Sequence, residues 1–291
     1  MLRLVLPKGS LEAQTMQLFD DADLAVSRSS DVNYRASIDD PRISEVRILR
    51  PQEIPTYVAE GRFDVGIAGR DSIEECGVEV VSLGQLNYSK VSAQPIRLVL
   101  AVANDSPVQS VTDLAPGSVV HVEHTRVARE YFEKHGVDVE IRYSYGATEA
   151  KVPDIADAII EITETGSGLR AAGLRIIDTV MVSYTEFFAN AESYQDPGKR
   201  KAMEQIQILL SGALEARGRV LLKLNVDNAQ LDDVIALLPA LKSPTVSKLF
   251  GEDGYAVETV VAKGELNTLI PAHKDAGAMG IIELPISKIV H

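Results

Sequence analysis

Short apolar runs alternate with stretches at helical spacing through the first ninety residues, and this alternation limits the possible folds more than any other feature of the chain. Strands separated by helices pair in parallel through crossovers, so the pattern points to an α/β fold with a largely parallel sheet. Leu2–Leu6 reads as a strand, and Pro7-Lys8-Gly9-Ser10 turns into a helix from Leu11. Ser10 is placed as its N-cap, where the side-chain oxygen satisfies a free amide of the first turn. Glu45–Arg50 reads as a second strand, with Pro51 at the start of the next helix and Gly61 at its end, the order that each residue tolerates. Phe63–Ala68 reads as a buried strand in which Gly66, with Gly69 just beyond, marks close backbone approach.

Around residues 84–95 the pattern breaks into the polar run Gly84-Gln85-Leu86-Asn87-Tyr88-Ser89-Lys90, and Pro95 precedes the strongly apolar Ile96–Ala103. This reads as a crossing into a second α/β lobe. That lobe holds the strand Ser118–Val122, the helix Val127–His135 and the apolar segment Ile155–Ile162, and ends near Asp178. Thr179–Phe188 is another strand-like run that returns the chain to the first lobe. Gly198–Arg217 is one long helical pattern, with Met203, Ile206, Leu209, Leu210 and Ala213 at helix spacing. From about Ala213 the order is strand, helix, strand, strand, helix, strand, which is the ferredoxin-like βαββαβ unit. The expected organisation is residues 1–92 with 179–212 as lobe I, 93–178 as lobe II, and 213–291 as a separate ferredoxin-like, ACT-like domain. Two lobes joined by two crossings make a cleft.

The net charge of −13 over 291 residues narrows the partners. Asp and Glu outnumber Lys and Arg in each of these stretches, and no Lys/Arg-rich run exists, so a groove that tracks nucleic-acid phosphates is not expected. An anion site must then be built from a few placed groups. No run approaches the 18 apolar residues of a membrane span. The lone Cys76 cannot form an intramolecular disulfide, and Lys8 comes before any apolar stretch of signal-peptide length. A soluble, cytoplasmic protein without membrane or nucleic-acid partners is expected.

Most of the chemistry is concentrated in Asp157-Ala-Ile-Ile-Glu161-Ile-Thr163-Glu164-Thr165-Gly166-Ser167-Gly168-Leu169. An apolar strand ends in acidic and hydroxyl residues, passes a Gly-containing turn and opens a helix. Free amides at the helix start, with the Thr and Ser hydroxyls, form an anion cradle that fits a phosphate. Carboxylates four and eight residues before Thr165 can accept hydrogen bonds from sugar hydroxyls or face a metal-bound pyrophosphate. The same spacing also describes a plain capped helix start, with Thr163 or Thr165 as the N-cap.

The segment from Ala150-Lys151-Val152-Pro153 to Leu174-Arg175-Ile176-Ile177-Asp178 resembles the phosphoribosyl-diphosphate loop of the ATP phosphoribosyltransferase family, whose members catalyse the first step of histidine biosynthesis. Leu6-Pro7-Lys8-Gly9-Ser10-Leu11 is similar to that family too, as is Arg50-Pro51-Gln52-Glu53-Ile54-Pro55 followed by Asp64-Val65-Gly66-Ile67-Ala68-Gly69-Arg70-Asp71. Val234–Pro239 with Ser243-Pro244-Thr245 resembles the regulatory domain of the family's long form. Four motifs in order cover nearly the whole chain. The resemblance implies a catalytic part like the type II periplasmic binding proteins, with a histidine-sensing domain appended. It implies ATP, phosphoribosyl diphosphate and histidine as ligands, Mg²⁺ as cofactor, and a homo-oligomer from dimer to hexamer. One departure stands out: the family loop usually ends Thr-Gly-x-Thr or Thr-Gly-x-Ser, and Gly168 holds the last hydroxyl position here. A lost contact to a charged phosphate costs about 1.5–3 kcal/mol where nothing replaces it.

In the family reaction N1 of the ATP adenine displaces pyrophosphate from C1 of phosphoribosyl diphosphate, so the nucleophile belongs to the substrate. The protein supplies alignment and charge neutralisation. The resemblance assigns Thr165–Leu169 to the 5′-phosphate and Glu161 to the ribose hydroxyls, with Asp157, Thr163 and Glu164 completing the loop site. Glu161 and Thr165 are its expected catalytic pair. Lys8, Gly9, Ser10 and Arg50 are assigned to the other phosphates, and Gly69 and Arg70 to the cleft mouth. Ser243, Thr245 and Gly280 are assigned to histidine.

Other residues point less far. His121-x-x-His124 on a strand puts its rings on opposite faces, against a metal pair. Cys76, before Gly77, reads as inert, and Lys199-Arg200-Lys201 as a solvated face. Asn87-Tyr88-Ser89-Lys90 reads as hinge or cleft wall. The rival function is a catalytically weak two-lobed protein that binds small molecules or senses an amino acid. The acidic strand before Thr165 speaks against it.

Overall fold

The computed structural model of the protein describes all residues except 31, 32, 87, 89–95 and 240–242. The first lobe runs β1 (Leu2–Pro7), α1 (Glu12–Asp21), β2 (Val26–Ser27), β3 (Arg35–Ile38), β4 (Ile43–Leu49), α2 (Ile54–Ala59), β5 (Val65–Gly69), α3 (Arg70–Cys76) and β6 (Val81–Gln85). The second runs β7 (Ile96–Ala103), β8 (Ser118–Val122), α4 (Thr125–His135), β9 (Val139–Tyr143), β10 (Ala158–Thr163), α5 (Ser167–Ala171) and β11 (Leu174–Ser183). The chain then passes through β12 (Thr185–Ala189), α6 (Ala191–Gln195) and α7 (Pro197–Ala216).

β1 is flanked by β4 and β5, both parallel to it, in a seven-stranded sheet ordered β2-β3-β4-β1-β5-β12-β6. The expected parallel core is there, but β12 inserts antiparallel beside β5 and against β6. The second sheet is ordered β11-β7-β10-β8-β9, with β8, β9 and β10 mutually parallel and β7 antiparallel between β10 and β11. One face of this sheet packs Val120, Val122 and Ile160 against Val127, Tyr131 and Phe132 of α4. The other packs Val99, Ala101 and Ile159 against Leu169 of α5.

Several boundaries move from their expected places. Gly9–Leu11 is a 3₁₀ turn, α1 begins at Glu12, and Ser10 does not cap it. Gly9 adopts φ +83°, and its N–H instead donates to Glu12 Oε2 at 3.2 Å. The helix after β4 starts at Ile54 with Pro55 in its first turn, and Pro51 belongs to the preceding turn. Thr179–Phe188 is two strands. β11 stays in the second sheet to Ser183, with register shifts at Ile176/Asp178 and Thr179/Met181 where bulges bend it. The return to the first lobe therefore falls after Ser183, five residues later than expected. Gly66 is required by packing, because a Cβ there would stand 2.8 Å from Ile54 and 2.9 Å from Val58.

Asp64, just before β5, is fully buried. It accepts hydrogen bonds from the Arg3 backbone N–H (2.7 Å), Ser193 Oγ (2.8 Å) and Lys199 Nζ (2.8 Å), and pairs with the Arg3 guanidinium. Burial alone would raise its pKa, but these donors outweigh it and hold the carboxyl far below the usual range. Lys199 is thus a structural cation, not part of a plain solvated face.

Compact units divide at Gln207/Ile208, inside α7. The second unit contains β13 (Arg219–Asp227), α8 (Leu231–Ala236), β14 (Thr245–Lys248), β15 (Gly254–Ala262), α9 (Leu266–Asp275) and β16 (Met279–Pro285). Its sheet is ordered β14-β15-β13-β16 and is antiparallel throughout, the expected ferredoxin-like arrangement. Its core packs Val220, Leu222, Leu224 and Val226 of β13 against Val234 and Leu266. Among the described residues no helix is long and apolar enough to cross a membrane.

Candidate functional site

Because β1, β4 and β5 are parallel, their carboxyl ends lie at one edge of the sheet, where ligands of open α/β sheets bind. Pro7 pairs with Leu49, and the Lys8 N–H donates to the Leu49 carbonyl at 2.7 Å. Lys8 and Arg50 therefore leave their strands side by side. With Gly9, Ser10, Pro51 and Gln52 they line a depression of about 230 Å³. Lys8 Nζ lies 4.3 Å from the centre of the Tyr34 ring.

Ser10, Pro51 and Gln52 also line a larger cleft of about 760 Å³, which has Gly69, Asp71 and Tyr88 on one side and His124, Thr163 and Glu164 on the other. Tyr88 is buried, its hydroxyl 2.6 Å from Thr15 Oγ1. Ser183, Tyr184 and Thr185, where the chain crosses back, also line this cleft.

The acidic, hydroxyl-rich loop follows β10 at the cleft edge. Gly166 takes φ +73°, the left-handed conformation that lets the strand turn sharply into α5. Its N–H donates to Thr163 Oγ1 at 2.8 Å, so Thr163 braces the turn. Thr165 Oγ1 donates to Ser167 Oγ at 3.0 Å, and the Arg170 guanidinium donates to the Thr165 carbonyl at 3.1 Å. A Cβ on Gly168 would meet nothing within 4 Å. Packing therefore does not explain the missing hydroxyl.

The family description HisG, ATP phosphoribosyltransferase, matches residues 50–212, and that of the HisG C-terminal domain matches residues 216–288. The chain belongs to the ATP phosphoribosyltransferase family. An ATP phosphoribosyltransferase of Pelotomaculum thermopropionicum is 48% identical over 289 residues, covering 99% of each chain. One from Desulforudis audaxviator is 47% identical over 291 residues, again covering 99% of each. Among solved structures, an ATP phosphoribosyl transferase (HisG:HisZ) complex from Thermotoga maritima matches with a TM-score of 0.60 and 24% identity, covering 72% of this chain and 99% of that one. That likeness concerns the fold alone.

Not every residue expected at an ATP phosphoribosyltransferase site is brought to this cleft. Lys8, Gly9, Ser10 and Arg50 are together, Gly69 is on the cleft wall, and Thr163 and Glu164 face them. Glu161 shares the Thr163 face of β10, is half-buried, and its Oε1 accepts the Ile162 N–H at 3.1 Å. Leu169 is the buried residue of α5, packed against Val99, Ala101 and Ile159 of the sheet. Asp157 lies at the opposite end of β10, where its carboxylate accepts the Val119 N–H at 2.8 Å. At about 3.3 Å per residue it stands roughly 20 Å from Thr163, so it belongs to strand pairing and not to the loop site. Arg70 pairs with Glu74 and, at 3.3 Å, with buried Glu186. Burial opposes its charge, but the two carboxylates raise its pKa, and it is not part of the cleft lining.

Asp71, His124 and Ser183 were not expected from the sequence. Asp71 Oδ2 is 3.1 Å from His124 Nε2, Oδ1 accepts the Ser183 hydroxyl, and the Asp71 N–H donates to Ser183 Oγ at 3.0 Å. Asp71 and His124 are both buried. Burial alone would raise the Asp71 pKa and lower that of His124, yet their pairing reverses both, with Ser183 adding to Asp71 and Glu123 and Glu75 to His124. β8 stops at Val122, so His124 is the N-cap of α4 and not a strand residue. Strand alternation from His121 does not apply to it. Cys76 Sγ donates to the Gln52 carbonyl at 3.1 Å.

In the C-terminal unit, exposed Thr245 is on β14 and Gly280 on β16, the two edges of a four-stranded sheet. Three strand spacings of about 4.8 Å separate them. Ser243, which is exposed just before β14, falls on the Thr245 side, so one chain does not gather the three into one pocket. The other turn residues expected to act at the lobe junction, Asn87, Ser89 and Lys90, lie outside the described residues.

Proposed function

We propose that the chain transfers the 5-phosphoribosyl group from phosphoribosyl diphosphate to N1 of ATP. The C1–oxygen bond to diphosphate breaks, pyrophosphate leaves with the electron pair, and the N1–C1 bond forms to give N1-(5-phosphoribosyl)-ATP. The observation that supports this reading is that Lys8 and Arg50 leave adjoining strand ends into a depression that shares Ser10, Pro51 and Gln52 with the cleft, which Thr163 and Glu164 also line. Two anionic substrates can be bound at opposite walls, with the reacting atoms held between them.

In this reading the turn amides and the Thr165 and Ser167 hydroxyls hold the 5′-phosphate, and Glu161 accepts from the ribose hydroxyls. Lys8 and Arg50 stabilise the charge that grows on the departing pyrophosphate. Among the described residues no group of three or more His, Cys, Asp or Glu is placed to hold a metal. Mg²⁺ bound to phosphoribosyl diphosphate would be faced by Glu164 and Glu161 and would lower the charge of the leaving group.

The ferredoxin-like unit makes histidine the expected feedback inhibitor. Since Thr245 and Gly280 are at opposite sheet edges, a histidine pocket using both edges needs a second copy of the chain, which fits a homo-oligomer. The test is incubation with ATP, phosphoribosyl diphosphate, Mg²⁺ and a pyrophosphatase, with and without histidine, followed by mass spectrometry. Product of the phosphoribosyl-ATP mass supports the reading, and its absence removes it. Product whose rate ignores histidine removes only the regulatory part.

A further inference from the structure

α4 begins in one lobe and is capped from the other. Its own N-cap residue, His124, makes no side-chain cap hydrogen bond, which leaves the first-turn amides to find other acceptors. Glu75 of α3 supplies them. Its Oε2 accepts the Arg126 N–H at 2.9 Å and the Val127 N–H at 3.1 Å, and its Oε1 accepts the Thr125 hydroxyl at 3.2 Å. A carboxylate at this point also meets the positive end of the helix dipole.

Among the described residues other contacts join the lobes beside it, including the hydrogen bonds between Asp71 and Ser183. Asp71, one helical turn before Glu75, pairs with His124 at 3.1 Å. Gln52 Nε2 donates to Glu123 Oε1 at 3.2 Å. Gly77, with φ +60°, closes α3, and the Arg126 guanidinium lies over it, occupying the space that a Cβ would take. α3 thus presents two carboxylates and a bare backbone surface to the start of α4.

We infer that Glu75 is a positioning residue for the reaction: by capping α4 across the lobes, it holds the two cleft walls at their working separation. It is not in the cleft lining and so acts through α4. The inference rests on the transferase reading for its kinetic part only. Losing a cap of this kind should disfavour the assembled arrangement by roughly tenfold, and apparent affinity falls with the fraction of chains that are competent to bind. Both substrates should be affected, because each wall loses its partner.

The experiment compares Glu75→Ala and Glu75→Gln with the parent chain. In the unliganded protein, amide exchange at Arg126 and Val127 should accelerate about tenfold in Glu75→Ala, while the second half of α4 stays protected. KM for ATP and for phosphoribosyl diphosphate should rise together by roughly tenfold, with kcat within about threefold, and Glu75→Gln, which keeps an acceptor, should fall between. If Glu75→Ala does not fold, Glu75→Gln carries both measurements. Unchanged exchange at Arg126 and Val127, or unchanged KM values in a folded variant, overturns the inference. A parent chain that makes no product would defeat the transferase reading, and the exchange measurement would still decide the role of Glu75.

Discussion

Asp71 and His124 meet at 3.1 Å across the lobes, both buried, in the wall of the cleft. Removing one member of a buried pair leaves the other uncompensated, at a cost of about 3 kcal/mol. Asp71→Asn should therefore lower stability by about that much near pH 6. The sign follows from the two shifts. The lowered Asp71 pKa gives stability that is present above the ordinary value of 3.8 and lost as pH falls through the folded pKa. The raised His124 pKa gives stability that is full below the ordinary 6.5 and lost as pH rises through the folded value. The difference between parent and variant should thus be largest between these limits and shrink at alkaline pH, as read by urea unfolding across a pH series.

Asp64→Asn tests the buried knot of Arg3, Ser193 and Lys199. The variant should lose about 3 kcal/mol at pH 7. Because the Asp64 pKa is lowered, its contribution is present above the ordinary 3.8 and fades as pH falls through the folded value. Denaturant midpoints should therefore converge toward acid pH, while KM values at neutral pH stay unchanged.

Gly168→Ser addresses the missing hydroxyl. The position has open space around its Cβ and needs no positive φ, so stability should move by less than about 0.5 kcal/mol. A new hydrogen bond to the charged 5′-phosphate should lower KM for phosphoribosyl diphosphate roughly tenfold. An unchanged KM would mean that the turn amides and Ser167 already satisfy the phosphate.

Asp157→Ala separates strand pairing from the loop site. Loss of the carboxylate acceptor for the Val119 N–H should cost about 1 kcal/mol of stability and leave both KM values unchanged. A rise in KM for phosphoribosyl diphosphate beyond threefold would return Asp157 to the substrate.

The parts legible in the sequence are those set by local rules. The strand and helix alternation, the Gly166 turn and the βαββαβ order each depend on neighbours within a few residues, and each is present. Lys8 and Arg50 were expected at phosphates from their motifs, and the parallel pairing of β1 with β4 places them together. What sequence spacing could not supply depends on contacts distant in the chain. Asp71 and His124 are 53 residues apart, and Arg70 is drawn from the cleft by Glu186, 116 residues away. The strand-like run over residues 179–188 hid the crossing at Tyr184, because it holds the end of β11 and most of β12 with that one residue between them. Asp157 is four residues from Glu161 in sequence, but it precedes the start of β10 while Glu161 lies toward its far end.

The central claim is that phosphoribosyl transfer occurs in this cleft, with Lys8 and Arg50 bearing the phosphate charge. Its most direct test is kcat/KM for N1-(5-phosphoribosyl)-ATP formation in the parent chain and in the double variant Lys8→Ala/Arg50→Ala. The account predicts product from the parent chain and at least a hundredfold loss in the variant, about 2.7 kcal/mol of transition-state stabilisation, with an unchanged melting temperature. A parent chain that makes no product, or a folded variant that turns over as fast, would contradict it.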